Sequence, residues 1–167
     1  MIRDARPSDA GWIVALWNDV IAHTDITFTT TLKTSQHIAD MIADRPVLVL
    51  ADEGGFATFG PFRAGPGYAA TVEHTILLAP RAQARGHGRM LLSALEVRAT
   101  QDGHHVMVAA ISGTNTGAVA FHAKMGFEQV AHMPQVGRKG GQWLDLVLMQ
   151  KQLGATASAN ARPEDTV

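Results

Sequence analysis

Three features of the chain are of a kind that does chemistry: a glycine-bearing loop before a helix, a glutamate in a strand, and a histidine late in a helix. The loop is Gln83-Ala84-Arg85-Gly86-His87-Gly88-Arg89, between a strand pattern ending at Leu78 and an amphipathic pattern beginning near Gly88. Glycines at the mouth of a helix let backbone N–H groups close on an anion, where the helix dipole adds favourable potential. Glu73 lies in Thr71-Val72-Glu73-His74-Thr75-Ile76-Leu77-Leu78, and a strand's period of two puts Glu73, Thr75 and Leu77 on one face. Such a carboxylate is either a solvated strand residue or a base facing a substrate, and spacing leaves both open. His122 is either packed beside the core or a proton donor, because imidazole has an ordinary pKa of about 6.5. Arg63 is an exposed arginine or a two-point partner for a carboxylate. Phe28 and Trp143 read first as packing residues.

Several other chemistries lack their signatures. The eight histidines form neither H-E-x-x-H nor a close cluster with carboxylates, and the adjacent His104 and His105 point opposite ways in a strand, so no metal is expected. Gly137-Arg138-Lys139-Gly140-Gly141 lacks the G-x-x-x-x-G-K-[ST] order of an ATP-binding loop and reads as a hairpin turn near the mouth of a site. The absence of cysteine excludes disulfides, thiolate metal ligands and a cysteine nucleophile, and fits a reducing compartment. A formal net charge of −1 offers no global attraction to nucleic acid or an anionic membrane. Met1-Ile2-Arg3-Asp4 carries charge at once, unlike a signal peptide, and no apolar run approaches the ~20 residues that span a bilayer. A cytoplasmic location is expected.

The elements that must position these residues follow from periodicity. A composition of 46% hydrophobic and 17% charged residues over 167 positions suits one domain with one substantial core, here residues 1–153. Strands are expected at Ile2–Arg6, Val47–Ala51, Phe56–Phe62, Tyr68–Leu78, His105–Ile111, Phe127–Met133 and Trp143–Gln150. Helices are expected from Ser8 to about His23, Ser35 to Asp44, Gly88 to Asp102 and Asn115 to Met125, with Ser8 and Ser35 as N-caps and Gly103 and Gly126 as C-caps. The threonine-rich Asp25–Thr34 reads as a loop or short extended piece. Residues 154–167 are small, polar and without periodicity, which predicts a disordered tail. The fold class is α/β: a mixed sheet of about seven strands flanked by about four helices.

This order, the Gln83 loop and Asn115…Ala118…His122-x-x-x-Gly126-Phe127 resemble the GNAT superfamily of N-acetyltransferases over roughly residues 2–152. The chain is most similar to its phosphinothricin and methionine sulfoximine/sulfone branch. That likeness rests on Gly60-Pro61-Phe62-Arg63, Thr71-Val72-Glu73-His74-Thr75, Ile111-Ser112-Gly113-Thr114-Asn115, Phe121 before His122, and Val136-Gly137-x-Lys139-x-Gly141-x-Trp143-Leu144-Asp145. The resemblance implies an acetyl-CoA-dependent enzyme, without a metal, that acetylates the α-amino group of a small amino-acid-like molecule by direct attack. A peptide or protein N-terminal acetyltransferase and a non-catalytic acyl-CoA sensor are the alternatives. It implies that Ile76, Leu77 and Leu78 pair with the pantetheine arm and supply an N–H to the thioester carbonyl. Gln83, Ala84, Arg85, Gly86, His87, Gly88 and Arg89 would hold the pyrophosphate, with Asn115 and Lys124 as further coenzyme contacts. Glu73 becomes the candidate base and His122 the candidate acid, standing where many members carry a tyrosine. Phe28, Arg63, Glu73, His74 and Thr75 form the expected substrate surface, and many relatives are homodimers. The chain departs from the family pattern at Ala84, often glycine, and at His87, usually aliphatic; Leu77 and Leu78 replace a common aromatic–valine pair. An alanine held at positive φ would be strained.

Overall fold

The structure, a computed structural model, describes residues 1–154; the expected tail lies, from residue 155, outside the described residues. Its strands are β1 (Ile2–Asp4), β2 (Val47–Leu50), β3 (Gly55–Pro61), β4 (Thr71–Leu78), β5 (Val106–Ser112), β6 (Glu128–Lys139) and β7 (Gln142–Gln152). They form a single sheet in the order β1-β2-β3-β4-β5-β7-β6. Helices α1 (Ala10–His23), α2 (Ser35–Asp44), α3 (His87–Gln101) and α4 (Thr116–Lys124) complete the mixed α/β fold expected from the periodicity. Among the described strands only β4 and β5 pair in parallel, joined by the crossover that contains α3.

The sheet is covered on both faces. Val47, Val49 and Phe56 pack with Ile13, Ile38 and Met41 under α1 and α2. Leu48, Ala57, Phe59 and Val72 point the other way, into a cluster with Leu91, Leu92, Leu95 and Phe127. The alternation along β2 explains why its four residues are all apolar and all buried.

Several boundaries differ from the periodicity-based expectation. Helix α1 starts at Ala10 after a 3₁₀ turn, Pro7–Asp9, and Asp9 rather than Ser8 anchors the entry. The buried Asp9 carboxylate accepts hydrogen bonds from Arg3 (2.7 and 2.9 Å), the Arg6 N–H (2.7 Å) and Trp12 Nε1 (3.1 Å). Thr34, not Ser35, caps α2 by accepting from the His37 N–H at 3.1 Å. Strand β4 begins at Thr71, because Pro66–Tyr68 is a 3₁₀ turn entered through Gly65 at φ +106°. Strand β6 continues through Gly137 to Lys139, and the hairpin turns at Gly140 and Gly141, with φ of +56° and +79°. Two consecutive positive φ values are what a two-residue hairpin loop requires. The register of β6 slips between Met133 and Gly137, around Pro134, which has no N–H to give the ladder.

Candidate active site

The site begins where two strands part. Strand β4 pairs with β3 along its whole length, to Gly55↔Leu78, but with β5 only from Thr71↔Val106 to Glu73↔Val108. Beyond Glu73, β5 follows β7 instead, as far as Ser112↔Leu146. A cavity of about 290 Å³ opens between the separating strands, lined by Glu73–Leu77 of β4, Ala109–Ser112 of β5, and Asn115, Ala118 and His122 around α4. Trp17 and Val20 of α1, the Ile26–Phe28 segment and Leu146 close its other side. The missing strand pairing leaves main-chain groups of Ile76 and Leu78 turned away from β3 with no neighbouring strand to bond, while those of Leu77 face Phe56 of β3, and buried polar main chain needs a partner.

Glu73 and His74 are adjacent in sequence and opposite in space. Glu73 shares a face with Thr75 and Leu77, and Leu77 packs on the α1–α2 side of the sheet. Glu73 is half-buried, and burial raises its carboxyl above the ordinary 4.5, leaving a more basic carboxylate when ionised. His74, on the other face, is 7% exposed and sits beside His122, which is 4% exposed. Their Nε2 atoms are 3.0 Å apart; His74 Nδ1 lies 2.9 Å from the Val108 carbonyl and His122 Nδ1 2.7 Å from that of Ala118. Burial lowers both pKa values from 6.5, His74 to about 4 with the His122 charge as second cause; the carbonyl contacts oppose this.

The glycine loop has the shape of an anion cradle. Ala84 and Gly86 adopt φ of +58° and +78°, and α3 starts directly after Gly86. The first N–H of this helix region to find a main-chain acceptor is that of Met90, on the Gly86 carbonyl at 3.1 Å. Those of His87, Gly88 and Arg89 belong to the first turn, whose donors lead out of a helix. Gly88 is buried: a Cβ there would come within 3.3 Å of Leu78 and 3.5 Å of Phe121, so glycine lets α3 seat closely against β4 and α4. Gln83 Nε2 donates to the Leu78 carbonyl at 3.3 Å, tying the loop to the end of β4. An open cradle beside the parted strand fits a pyrophosphate at the loop with a thioester arm running along β4.

The remaining expected site residues divide. Phe28 and Thr75 line the cavity with Glu73 and His74. Asn115 lines it too, while its Oδ1 caps α4 by accepting from the Ala118 N–H at 3.1 Å. Arg63 is exposed with its guanidinium over the Phe62 ring, 5.4 Å from the centroid, and Lys124 is exposed in the last turn of α4; neither is part of the cavity wall. Trp17, Val20 and Leu146 were not marked by their spacing, because each also fits an ordinary core pattern. The segment around Phe28 is fastened at both ends. Lys139 Nζ donates to the Thr27 carbonyl at 2.8 Å, and Asn18 exchanges bonds of 3.0 and 2.8 Å with Lys33 main chain. Among the described residues no cluster of three potential metal ligands occurs, and no helix is long and apolar enough to cross a membrane.

A parted parallel strand pair, an open helix mouth after a glycine loop and a half-buried carboxylate in the cavity wall have the geometry that acyl transfer from a phosphate-bearing thioester requires. Residues 7–127 match the acetyltransferase (GNAT) family, and the chain belongs to that family: it is an N-acetyltransferase. It is 39% identical to the L-methionine sulfoximine/L-methionine sulfone acetyltransferase of Salmonella typhimurium, covering 96% of this chain and 98% of that protein. It is 30% identical to the phosphinothricin N-acetyltransferase of Streptomyces coelicolor, covering 91% and 95% respectively. Its fold superposes on yncA of Salmonella typhimurium, solved with its cofactor acetyl-CoA, with a TM-score of 0.88 and 36% identity over 97% of this chain and 98% of that one.

Proposed function

We propose that this enzyme transfers the acetyl group of acetyl-CoA directly to the α-amino group of a small amino-acid-like acceptor of the methionine sulfoximine, methionine sulfone or phosphinothricin type. The observation that carries the reading is the half-buried Glu73 carboxylate in the wall of a cavity of about 290 Å³. That volume lies near the lower end of the ~300–1,000 Å³ typical of ligand pockets, which suits one small acceptor better than a peptide. The apolar wall of Trp17, Val20, Phe28 and Leu146 suits an aliphatic side chain bearing a compact polar end.

In this mechanism Glu73 accepts a proton from the ammonium form of the acceptor, directly or through one water, because only the neutral amine attacks. Its raised pKa places the base nearer that of an α-amino group of about 8, which eases the transfer. A main-chain N–H among Ile76, Leu77 and Leu78 is held toward the thioester carbonyl, where negative charge develops and a fixed donor is most effective. The cradle from Gln83 to Arg89 holds the pyrophosphate, and Asn115 and Lys124 complete the coenzyme contacts. Phe28, Thr75 and His74 shape the acceptor side, Arg63 attracts the acceptor carboxylate, and His122 belongs to the proton return. The enzyme works in the cytoplasm, without nucleic-acid or membrane partners, as a homodimer. The exposed apolar side chains of Val130, Val136 and Trp143 on the β6–β7 hairpin, each at least half exposed, support the last point.

The test measures CoA release with a thiol reagent, to which a protein without cysteine is silent. Release with methionine sulfone, methionine sulfoximine or phosphinothricin, but not with a short peptide, supports the reading. Release with the peptide alone moves the acceptor to a protein N-terminus. Acetyl-CoA binding without release for any amine makes the chain a sensor.

A further inference from the structure

The contacts of His74 and His122 count protons. A carbonyl oxygen only accepts a hydrogen bond, so the Val108 and Ala118 carbonyls, 2.9 and 2.7 Å away, require a hydrogen on each Nδ1. Two neutral rings in that tautomer would face each other with bare Nε2 lone pairs across 3.0 Å. If one ring shifted its hydrogen to Nε2 to bridge the gap, its own Nδ1 lone pair would face a carbonyl. All three contacts are satisfied together only when one further proton lies between the two Nε2 atoms. We propose that His74 and His122 form a dyad holding one shared proton, and that this dyad protonates the departing thiolate, with His74 as the positioning residue. The inference rests on the acetyl-transfer reading above.

The dyad bridges the point where the sheet opens. Val108 is the last β5 residue paired with β4, so His74 occupies the carbonyl at which strand pairing ends. Phe127 packs against both rings, at centroid distances of 5.6 and 5.2 Å, and Phe121 against His122 at 5.1 Å. Both histidines nonetheless line the cavity. Charged groups on the surrounding elements include Glu73 on the opposite face of β4, Lys124 at the end of α4, Glu128 at the start of β6 and Asp145 of β7, which is bonded to His132 and the Gln135 N–H. Behind the Phe127 ring, Lys151 of β7 is paired with Glu96 of α3 at 2.7 Å; β5 carries no charged residue.

Burial and mutual repulsion forbid both rings from being charged, so the pair titrates as one group. Burial pulls its affinity for the proton down and the shared bond pulls it up, which leaves an acid able to give its proton to a thiolate of pKa about 8.5. During transfer the N–C bond forms as the C–S bond breaks, and sulfur leaves with the electron pair. The shared proton passes from Nε2 to sulfur. Of the two protons the ammonium group loses, one in net balance restores the dyad and the other is released to water.

The test is a histidine ¹⁵N spectrum of the full chain, read beside the pH profile of kcat. Hydrogens on both Nδ1 atoms, and one proton coupled to both Nε2 atoms that disappears in a single titration, are expected. His74→Asn keeps a donor near the Val108 carbonyl but has no Nε2. It should abolish the shared-proton signal and move the high-pH limb of kcat to lower pH, by about one unit or a ten-fold loss on that limb, with the KM for acetyl-CoA unchanged. Two independent titrations in the wild type, or an unmoved limb in a folded His74→Asn, overturn the dyad. If no amine is acetylated by the wild type, the functional reading fails, and the wild-type spectrum still decides whether the proton is shared.

Discussion

Gly137 is the position from which the acceptor pocket can be disturbed without touching it. The Phe28 ring lies against its backbone: a Cβ at residue 137 would fall 2.5 Å from Phe28 Cε2, 2.9 Å from Cγ and closer still to Cδ2. Its φ lies outside the left-handed region, so alanine is compatible with the main chain, and the three nearest atoms it would meet all belong to the ring. To restore an ordinary carbon–carbon separation of about 3.6 Å, the ring must retreat by at least about 1 Å. Overpacking of this kind costs about 1–3 kcal/mol. Because Phe28 lines the cavity and Thr27 is held to Lys139, the displaced segment reshapes the wall against which the acceptor sits. Gly137→Ala is therefore expected to raise the KM for the amino-acid acceptor while leaving the KM for acetyl-CoA near its original value, since the cradle at Gln83–Arg89 lies on other elements. The assay is steady-state CoA release with each substrate varied, beside urea unfolding of Gly137→Ala, Phe28→Ala and the double variant. If the ring is the cause, the added cost of Gly137→Ala largely disappears when Phe28 is already alanine, a coupling of about 1 kcal/mol or more. Strict additivity in that cycle, or equal effects on both KM values, would refute the reasoning.

Glu73→Gln should cut kcat by about 10²–10⁴-fold and leave acetyl-CoA affinity intact by calorimetry; unchanged turnover would remove Glu73 as base. Because the active form is the ionised carboxylate and burial raises its pKa, kcat should fall with decreasing pH along a limb lying above 4.5, and that limb should vanish in the variant. Ala84→Gly relieves an alanine held at φ +58°, a strain of about 1–2 kcal/mol, against the about 0.4–1 kcal/mol of extra unfolded-chain entropy that glycine brings. Thermal unfolding should show equal or slightly higher stability, whereas a clear loss would mean that the loop gains from alanine. Asp9→Asn removes a buried carboxylate that binds Arg3 and the Arg6 N–H, and should destabilise by about 2–3 kcal/mol in urea. Asp9 titrates well below its ordinary 3.8, chiefly through Arg3; its contribution is present above that value and lost as pH falls through the folded pKa. The acid-unfolding curve of Asp9→Asn should therefore lack that component.

How far the molecule could be read from its residues depends on how local each cause is. The order of elements was legible because the apolar periods are strong: four consecutive buried residues in β2, and glycines at φ +86° and +88° closing α3 and α4 at Gly103 and Gly126. The capping errors are of another kind. Ser8 and Ser35 have the right chemistry one position away from residues that also have it, and the choice of Asp9 was made by Arg3 and Trp12, which sequence neighbours alone do not reveal. The Gln83 loop was legible as an anion cradle, and the strain expected at Ala84 appears as its positive φ. Arg63 was grouped with the acceptor on motif order, yet its side chain lies over the Phe62 ring outside the cavity wall, on a loop whose path no period describes. His74 shows the limit most sharply. Period two separates it from Glu73 and sends it to the other face, but only the pairing of β4 with β5, ending at Val108, frees the carbonyl it binds. Only the approach of α4 then brings His122 within 3.0 Å. The pairing of the two histidines is thus a property of where two strands separate, and it enters with the sheet.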